Sequence, residues 1–215
     1  MDLLGEALAA ETVLAGPAPK GLGRAMQGGG DKVHRQASDF YPTPAAVTRA
    51  LLRKESQCLA NVAPGPVWEP CGRGWAIIRE LRHAGIETIG SDLVPDSAHG
   101  VAALDLLDCR RALARKVVTN PPFALAPAMI GHLLDQLKVD YLALLLKSQF
   151  WHAEERRGLF RRHRPARIWA LTWRPDFMEL GAPTMDVVWV VWQRGIIGTQ
   201  YDLLPREAEA QGDLL

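Results

Sequence analysis

From Val67 onward, short apolar runs alternate with stretches whose apolar positions recur at helical spacing. The runs at Val67 to Glu69, Ile86 to Gly90 (ending at Asp92), Ala102 to Leu104 (ending at Asp105), Lys116 to Thr119, Val139 to Leu146, Ile168 to Thr172 and Asp186 to Trp192 predict seven strands. Helical periods predict helices over Ala45 to Leu59, Ala76 to Ala84, Ala126 to Leu137 and Ala153 to Arg161. Continuous apolar strands separated by helices imply an α/β fold with a mostly parallel sheet covered on both faces. The last two strands are joined only by an irregular loop, Arg174 to Met185, so they predict an antiparallel hairpin at one edge.

The pattern divides the chain. Residues 1–38, rich in Ala and Gly and ending near Gly28-Gly29-Gly30, predict a flexible arm. Residues 39–195 predict the folded domain, and 196–215 a frayed tail. At 215 residues the chain can bury a real core, and 48% apolar residues with a mean hydropathy of −0.05 fit an ordinary globular protein. No window resembles a membrane span, and residues 1–30 do not read as a secretory signal. Three scattered cysteines, Cys58, Cys71 and Cys109, suit neither a disulfide framework nor a zinc site, so a reducing cytoplasm and no bound metal are expected. The net charge of +1 means that any nucleic-acid affinity must come from local clustering. Nothing points to an oligomer, and a monomer is expected.

The most chemically loaded stretch is Asn120-Pro121-Pro122-Phe123, where a strand gives way to a loop. Two prolines hold the loop stiff. The Asn side-chain oxygen can accept from an NH2 group, drawing its nitrogen toward tetrahedral geometry, and Phe123 offers a face to a flat ring. The plainer alternative is a stiff strand-to-helix loop with a core Phe.

After the first strand comes Glu69-Pro70-Cys71-Gly72-Arg73-Gly74, and Asp92 follows Gly74 by 18 residues at the end of the next strand. Ligands of open α/β sheets bind at the carboxyl ends of strands, and a carboxylate there can hold ribose hydroxyls. A dinucleotide fingerprint would need a small residue where Ile77 stands, and Glu69 sits badly beside a pyrophosphate. Glu69 suits a ligand with a cationic end, such as S-adenosylmethionine, and Asp105 can accept from an adenine amino group. The alternative is a tight turn in which Asp92 and Asp105 cap helices.

Tyr41-Pro42-Thr43-Pro44 before a helix, Glu69-Pro70 leading into Gly-x-Gly, Ser91-Asp92 and Asn120-Pro121-Pro122-Phe123 resemble the phage and prophage DNA adenine-N6 methyltransferases. The likeness continues through Leu145-Leu146-Lys147, Arg157, Phe160 and Pro165-Ala166-Arg167 to Trp189-Val190-Val191-Trp192, so it covers about residues 39–193. It implies a Rossmann-like methyltransferase fold, S-adenosylmethionine as cofactor and DNA as partner. It also implies that Asn120, Pro121, Pro122 and Phe123 hold the target amine and base. Glu69, Gly72 and Gly74 would lie on the methionine part, Asp92 on the ribose and Asp105 near the adenine, with Tyr41, Pro42 and Thr43 closing over the methionine end. The sequence departs from the family at one point: only Cys71 stands between the Pro of the first motif and its first Gly, where the family has one more small residue.

Six arginines fall within residues 156–167: Arg156, Arg157, Arg161, Arg162, Arg164 and Arg167. Such density can neutralise several phosphates, or line a solvated helix face beside Glu154 and Glu155. Arg174, in Trp173-Arg174-Pro175-Asp176-Phe177, is a second candidate contact. Trp169, Trp189 and Trp192 alternate with apolar neighbours and are expected in the core. Only 92 residues follow Phe123, most of them needed to finish the sheet, so any recognition sequence is expected to be short. Methyl transfer needs no strong general base, and no histidine is given a catalytic role. Pro70-Cys71 precedes the glycines and is not read as a carbon-5 cytosine nucleophile. Two other readings stand: a methyltransferase acting on an RNA guanine amine or a protein glutamine amide, and a nucleic-acid-binding protein on this fold that no longer turns over.

Overall fold

A computed structural model describes residues 42–179, 181 and 183–206. The predicted arm, residues 1–38, and Tyr41 lie outside the described residues. Eight strands form one sheet in the order β3-β2-β1-β4-β5-β7-β6-β8. They are β1 (Val67–Glu69), β2 (Thr88–Asp92), β3 (Val101–Ala103), β4 (Lys116–Thr119), β5 (Tyr141–Lys147), β6 (Arg167–Leu171), β7 (Val187–Gln193) and β8 (Gln200–Leu204). Strands β1 to β5 run parallel, whereas β7 is antiparallel to both β5 and β6. The four longer helical segments are α1 (Ala45–Asn61), α2 (Ala76–His83), α3 (Ala126–Gly131) and α4 (Arg157–Arg162).

The α/β class and the antiparallel β6–β7 pair agree with the sequence pattern. Three details differ. The expected tail supplies an eighth strand, β8, which pairs in parallel with β6 and takes the sheet edge from the hairpin. Of its five residues only Leu204 is fully buried, so it carries no apolar run to betray it. The helix expected to reach Leu137 is α-helical only as far as Gly131 and continues as a π turn over His132–Gln136. The helix expected from Ala153 is a 3-10 turn at Glu154–Arg156 followed by α4.

Alternation along the central strands sends side chains into two apolar layers. Val118, Tyr141, Ala143, Leu145, Trp189 and Val191 meet Val47, Leu51 and Leu59 of α1 on one face. Val117, Leu142, Leu144, Leu146, Val188 and Val190 meet Met129, Ile130 and Leu133 on the other. Trp169, Trp189 and Trp192 are buried, as their alternation predicted.

Two polar anchors fix α1 on its face. Trp189 Nε1 donates to the Val47 carbonyl at 3.0 Å. Further along, the buried Glu55 accepts from Arg167 Nε (2.6 Å) and Nη2 (2.9 Å), Tyr141 Oη (3.0 Å) and Trp169 Nε1 (2.7 Å). Buried charge is tolerable only when paired and hydrogen-bonded in this way. Arg167, grouped by sequence with the basic run, therefore belongs to the core. With α1 pinned at both points, the residues just before it stand at the tip of β4.

Candidate active site

Because β1 to β5 run parallel, their carboxyl ends gather along one edge of the sheet. Glu69 ends β1, Asp92 ends β2, Thr119 ends β4 and Lys147 ends β5. Glu69 is 1% exposed. Its Oε1 accepts from the Thr119 hydroxyl and from the Cys71 N–H at 3.2 Å, while Oε2 is buried with no partner among the described residues. Burial pushes its pKa up to about 8; the bonds from Thr119 and Cys71 oppose the rise, and the charge of Asp92 adds to it. Burial, then the charge of Glu69, pushes the Cys71 thiol far above its ordinary range, so it is no thiolate nucleophile at neutral pH.

The glycine turn is tightly built. Gly72 donates its N–H to the Ser91 carbonyl at 2.9 Å, and Trp75 donates to the Gly72 carbonyl at 2.8 Å. A Cβ on Gly72 would lie 2.9 Å from Ile78 Cδ1 and 3.2 Å from the Glu69 carbonyl oxygen, so a larger residue fits only if Ile78 and the turn give way. Gly74 has φ +71°, and Trp75, opening α2, has φ +45°. A bulky residue in the left-handed region is strained and persists only where its surroundings hold it. Here the indole stacks on His99 at 4.5 Å between centroids and 15° between planes, and His99 Nδ1 lies 2.7 Å from Asp96 Oδ2. This clasp between the glycine turn and the β2–β3 connection was not foreseen. Trp75 was legible only as the residue after Gly74, since its backbone angle depends on a partner 24 residues away.

Asp92 accepts from the Arg73 N–H (3.2 Å) and the Val94 N–H (2.9 Å), one bond to each oxygen, and so ties the β1 turn to the β2 tip. Asp105 accepts from the Leu107 N–H at 2.9 Å and caps a short 3-10 turn. Each carboxylate retains lone pairs for further donors. Leu93 and Val94, beside Asp92, are exposed apolar side chains at the same tip.

Asn120 follows β4 directly. Its Nδ2 donates to Thr43 Oγ1 at 3.1 Å, joining two segments that the sequence singled out separately. Among the described residues no hydrogen bond occupies Asn120 Oδ1, which leaves an acceptor for an NH2 group. Pro121 is buried, whereas Pro122 and Phe123 are half-buried. The Leu125 N–H closes on the Pro122 carbonyl at 2.9 Å. Phe123 packs partly against the α1-side core, and the Lys147 ammonium lies 4.9 Å from its ring centroid. Thr43 is buried and Pro42 exposed.

The arginines divide. Arg156 donates to the Phe150 carbonyl and covers the Phe150 ring at 4.5 Å. Arg157 pairs with Glu154 at 3.1 Å, and Arg174 with Asp186 at 2.7 Å. Arg161 and Arg162, in the last turn of α4, are exposed.

No protein-family model matches the sequence, and no curated protein matches it. Solved structures do match. A candidate RNA methyltransferase from Pyrococcus horikoshii aligns with a TM-score of 0.53 at 13% identity, over 89% of this chain and 97% of that one. A candidate class I S-adenosylmethionine-dependent methyltransferase from Listeria monocytogenes aligns with a TM-score of 0.52 at 10% identity, over 82% of this chain and 67% of that one. The chain thus has the class I methyltransferase fold, with one strand beyond the seven expected.

Proposed function

We propose that this protein is an S-adenosylmethionine-dependent methyltransferase acting on the N6 amine of adenine in DNA. One observation carries the reading. The Asn120-Pro121-Pro122-Phe123 turn stands beside the buried Glu69 at neighbouring strand tips, the two linked by the Thr119 hydroxyl. The edge also fits the cofactor. What supports this is the buried Glu69 Oε2, which no donor among the described residues reaches, and Asp92 at the tip of β2, whose carboxylate keeps lone pairs beyond its bonds to Arg73 and Val94.

In this reading Glu69 faces the methionine end, with Gly72 and Gly74 shaping the turn around it and Pro42 and Thr43 closing over it. Asp92 holds the ribose and Asp105 the adenine side. Bound there, S-adenosylmethionine supplies an electrophilic methyl group for direct displacement. The chain supplies position. Thr43 fixes the Asn120 amide so that Oδ1 can accept from the target amine, and Phe123 supports the base against the stiff Pro121-Pro122 turn. No side chain need take the proton before transfer, because the amine turns acidic only as it gains the methyl group. Arg161 and Arg162 are exposed and can meet phosphates, which favours nucleic acid over protein, and the motif combination around Tyr41 and Asn120 favours DNA as acceptor. The setting is cytoplasmic, in a bacterium or a phage-infected cell.

Tritiated-methyl transfer to unmethylated DNA, RNA and protein extract tests both chemistry and acceptor. Counts on DNA that fall about 10²-fold or more in Asn120→Ala are expected, since a misplaced acceptor group costs that much. Counts on RNA or protein alone would replace the acceptor, and no counts with any would return the chain to a binding role.

A further inference from the structure

Glu69 has an oxygen with nothing to bind. It is the only buried carboxyl oxygen among the described residues without a hydrogen-bond partner. Its surroundings are few. From β4 comes the neutral Thr119 hydroxyl, from its own turn the Cys71 N–H and the Cys71 thiol, which burial keeps neutral, and from β2 the charge of Asp92, which has the same sign. Two hydrogen bonds to Oε1 do not offset the loss of hydration on both oxygens of a buried anion.

We infer that Glu69 is a proton switch for cofactor capture: its carboxyl is neutral in the unliganded protein and gives one proton to solvent when a cationic ligand binds beside the β1 tip and the turn opens to Oε2. The inference rests on the proposed reading that S-adenosylmethionine is the ligand. The bond broken is the carboxyl O–H, the proton goes to buffer, and the ligand's positive charge compensates the carboxylate left behind. The direction agrees with the pKa of about 8 that burial imposes on the free carboxyl. The shared Thr119 hydroxyl carries the change to β4, one residue before Asn120, so cofactor charge and substrate loop are adjoining parts of one hydrogen-bonded edge.

Calorimetric titration with S-adenosylmethionine at pH 7, in buffers of different ionisation enthalpy, counts the proton. With a carboxyl pKa near 8, release of about 0.9 proton per site is expected, against about none in Glu69→Gln. Adenosine, which has neither sulfonium nor ammonium, should release none from the wild type. At this pH the ligand's own amino group is mostly charged already, so it contributes little. Below pH 8 the wild-type affinity should rise about tenfold per pH unit. Binding with no proton release, or with equal release in wild type and Glu69→Gln, would overturn the switch and leave the methyltransferase reading standing. Absence of binding to the wild type would overturn both. Should the variant misfold, infrared difference spectroscopy on the wild type decides the matter: a protonated-carboxyl band that vanishes on binding supports the switch, and its absence from the free protein refutes it.

Discussion

Glu55 and Glu69 are both 1% exposed, yet they sit in regions built on opposite principles. Around Glu55, Arg167, Tyr141 and Trp169 supply four donors to two oxygens, and Arg167 also reaches Gln193 at 2.7 Å. Burial, then the charge of Glu55, pushes the Tyr141 phenol well above its usual range, as expected beside an anion. Among the described residues Glu69 has two donors, both on one oxygen, and no cation acts on it. A finished network holds elements together. Among the described residues the Glu69 side instead leaves one buried carboxyl oxygen unpaired, at the carboxyl end of β1.

Damage to the finished side costs the most. Glu55→Ala removes the two carboxylate oxygens that accept from the Arg167 guanidinium, leaves it Gln193 as its one oxygen acceptor among the described residues, and releases the second anchor of α1. A loss of about 3–5 kcal/mol in unfolding free energy is expected, read from urea denaturation. An effect on cofactor binding alone, with stability unchanged, would mean that the Glu55 region is no structural anchor.

The next effect separates the two carboxyls by pH. Glu69 has a folded pKa of about 8, above that of an unfolded glutamate, so it favours the folded state most at low pH, and that favour fades as pH rises toward 8. The unliganded protein should therefore lose stability between about pH 5 and pH 8, by at most about 1.4 kcal/mol per pH unit, and level off above. Glu69→Gln, which cannot ionise, should flatten that slope in thermal melts across the range. A variant as steep as the wild type would assign the slope to other groups.

What the sequence made legible follows the same division. β1, β4 and β5 could be read because their apolar runs are dictated by burial on both faces, and the Asn120 and Gly72 turns because their residue types are rare in combination. Arg167 was misgrouped because charge density along a chain does not show which side chain turns inward: its neighbours Ala166 and Trp169 are buried and its partner Glu55 lies 112 residues away. β8 escaped because an edge strand held mainly by main-chain pairing to β6 needs no apolar alternation. The link from Thr119 to Glu69 spans 50 residues and joins two side chains whose types alone predict nothing.

The smallest expected effect concerns the basic run, where sequence suggested one surface and the structure shows two kinds of arginine. Arg156 lies over Phe150 and Arg157 pairs with Glu154, whereas Arg161 and Arg162 project from the end of α4. If the exposed pair meets phosphates, each substitution by Ala should lower the slope of log affinity against log salt by about one and weaken DNA binding alike for every sequence. Arg156→Ala should instead act through packing against Phe150 and leave the salt slope where it was. Filter binding on one duplex at several salt concentrations measures both. Slopes equal to that of the wild type for all three variants would move the DNA contact off α4. Arg174 would then be the remaining candidate, and DNA would have to compete with Asp186 for its guanidinium.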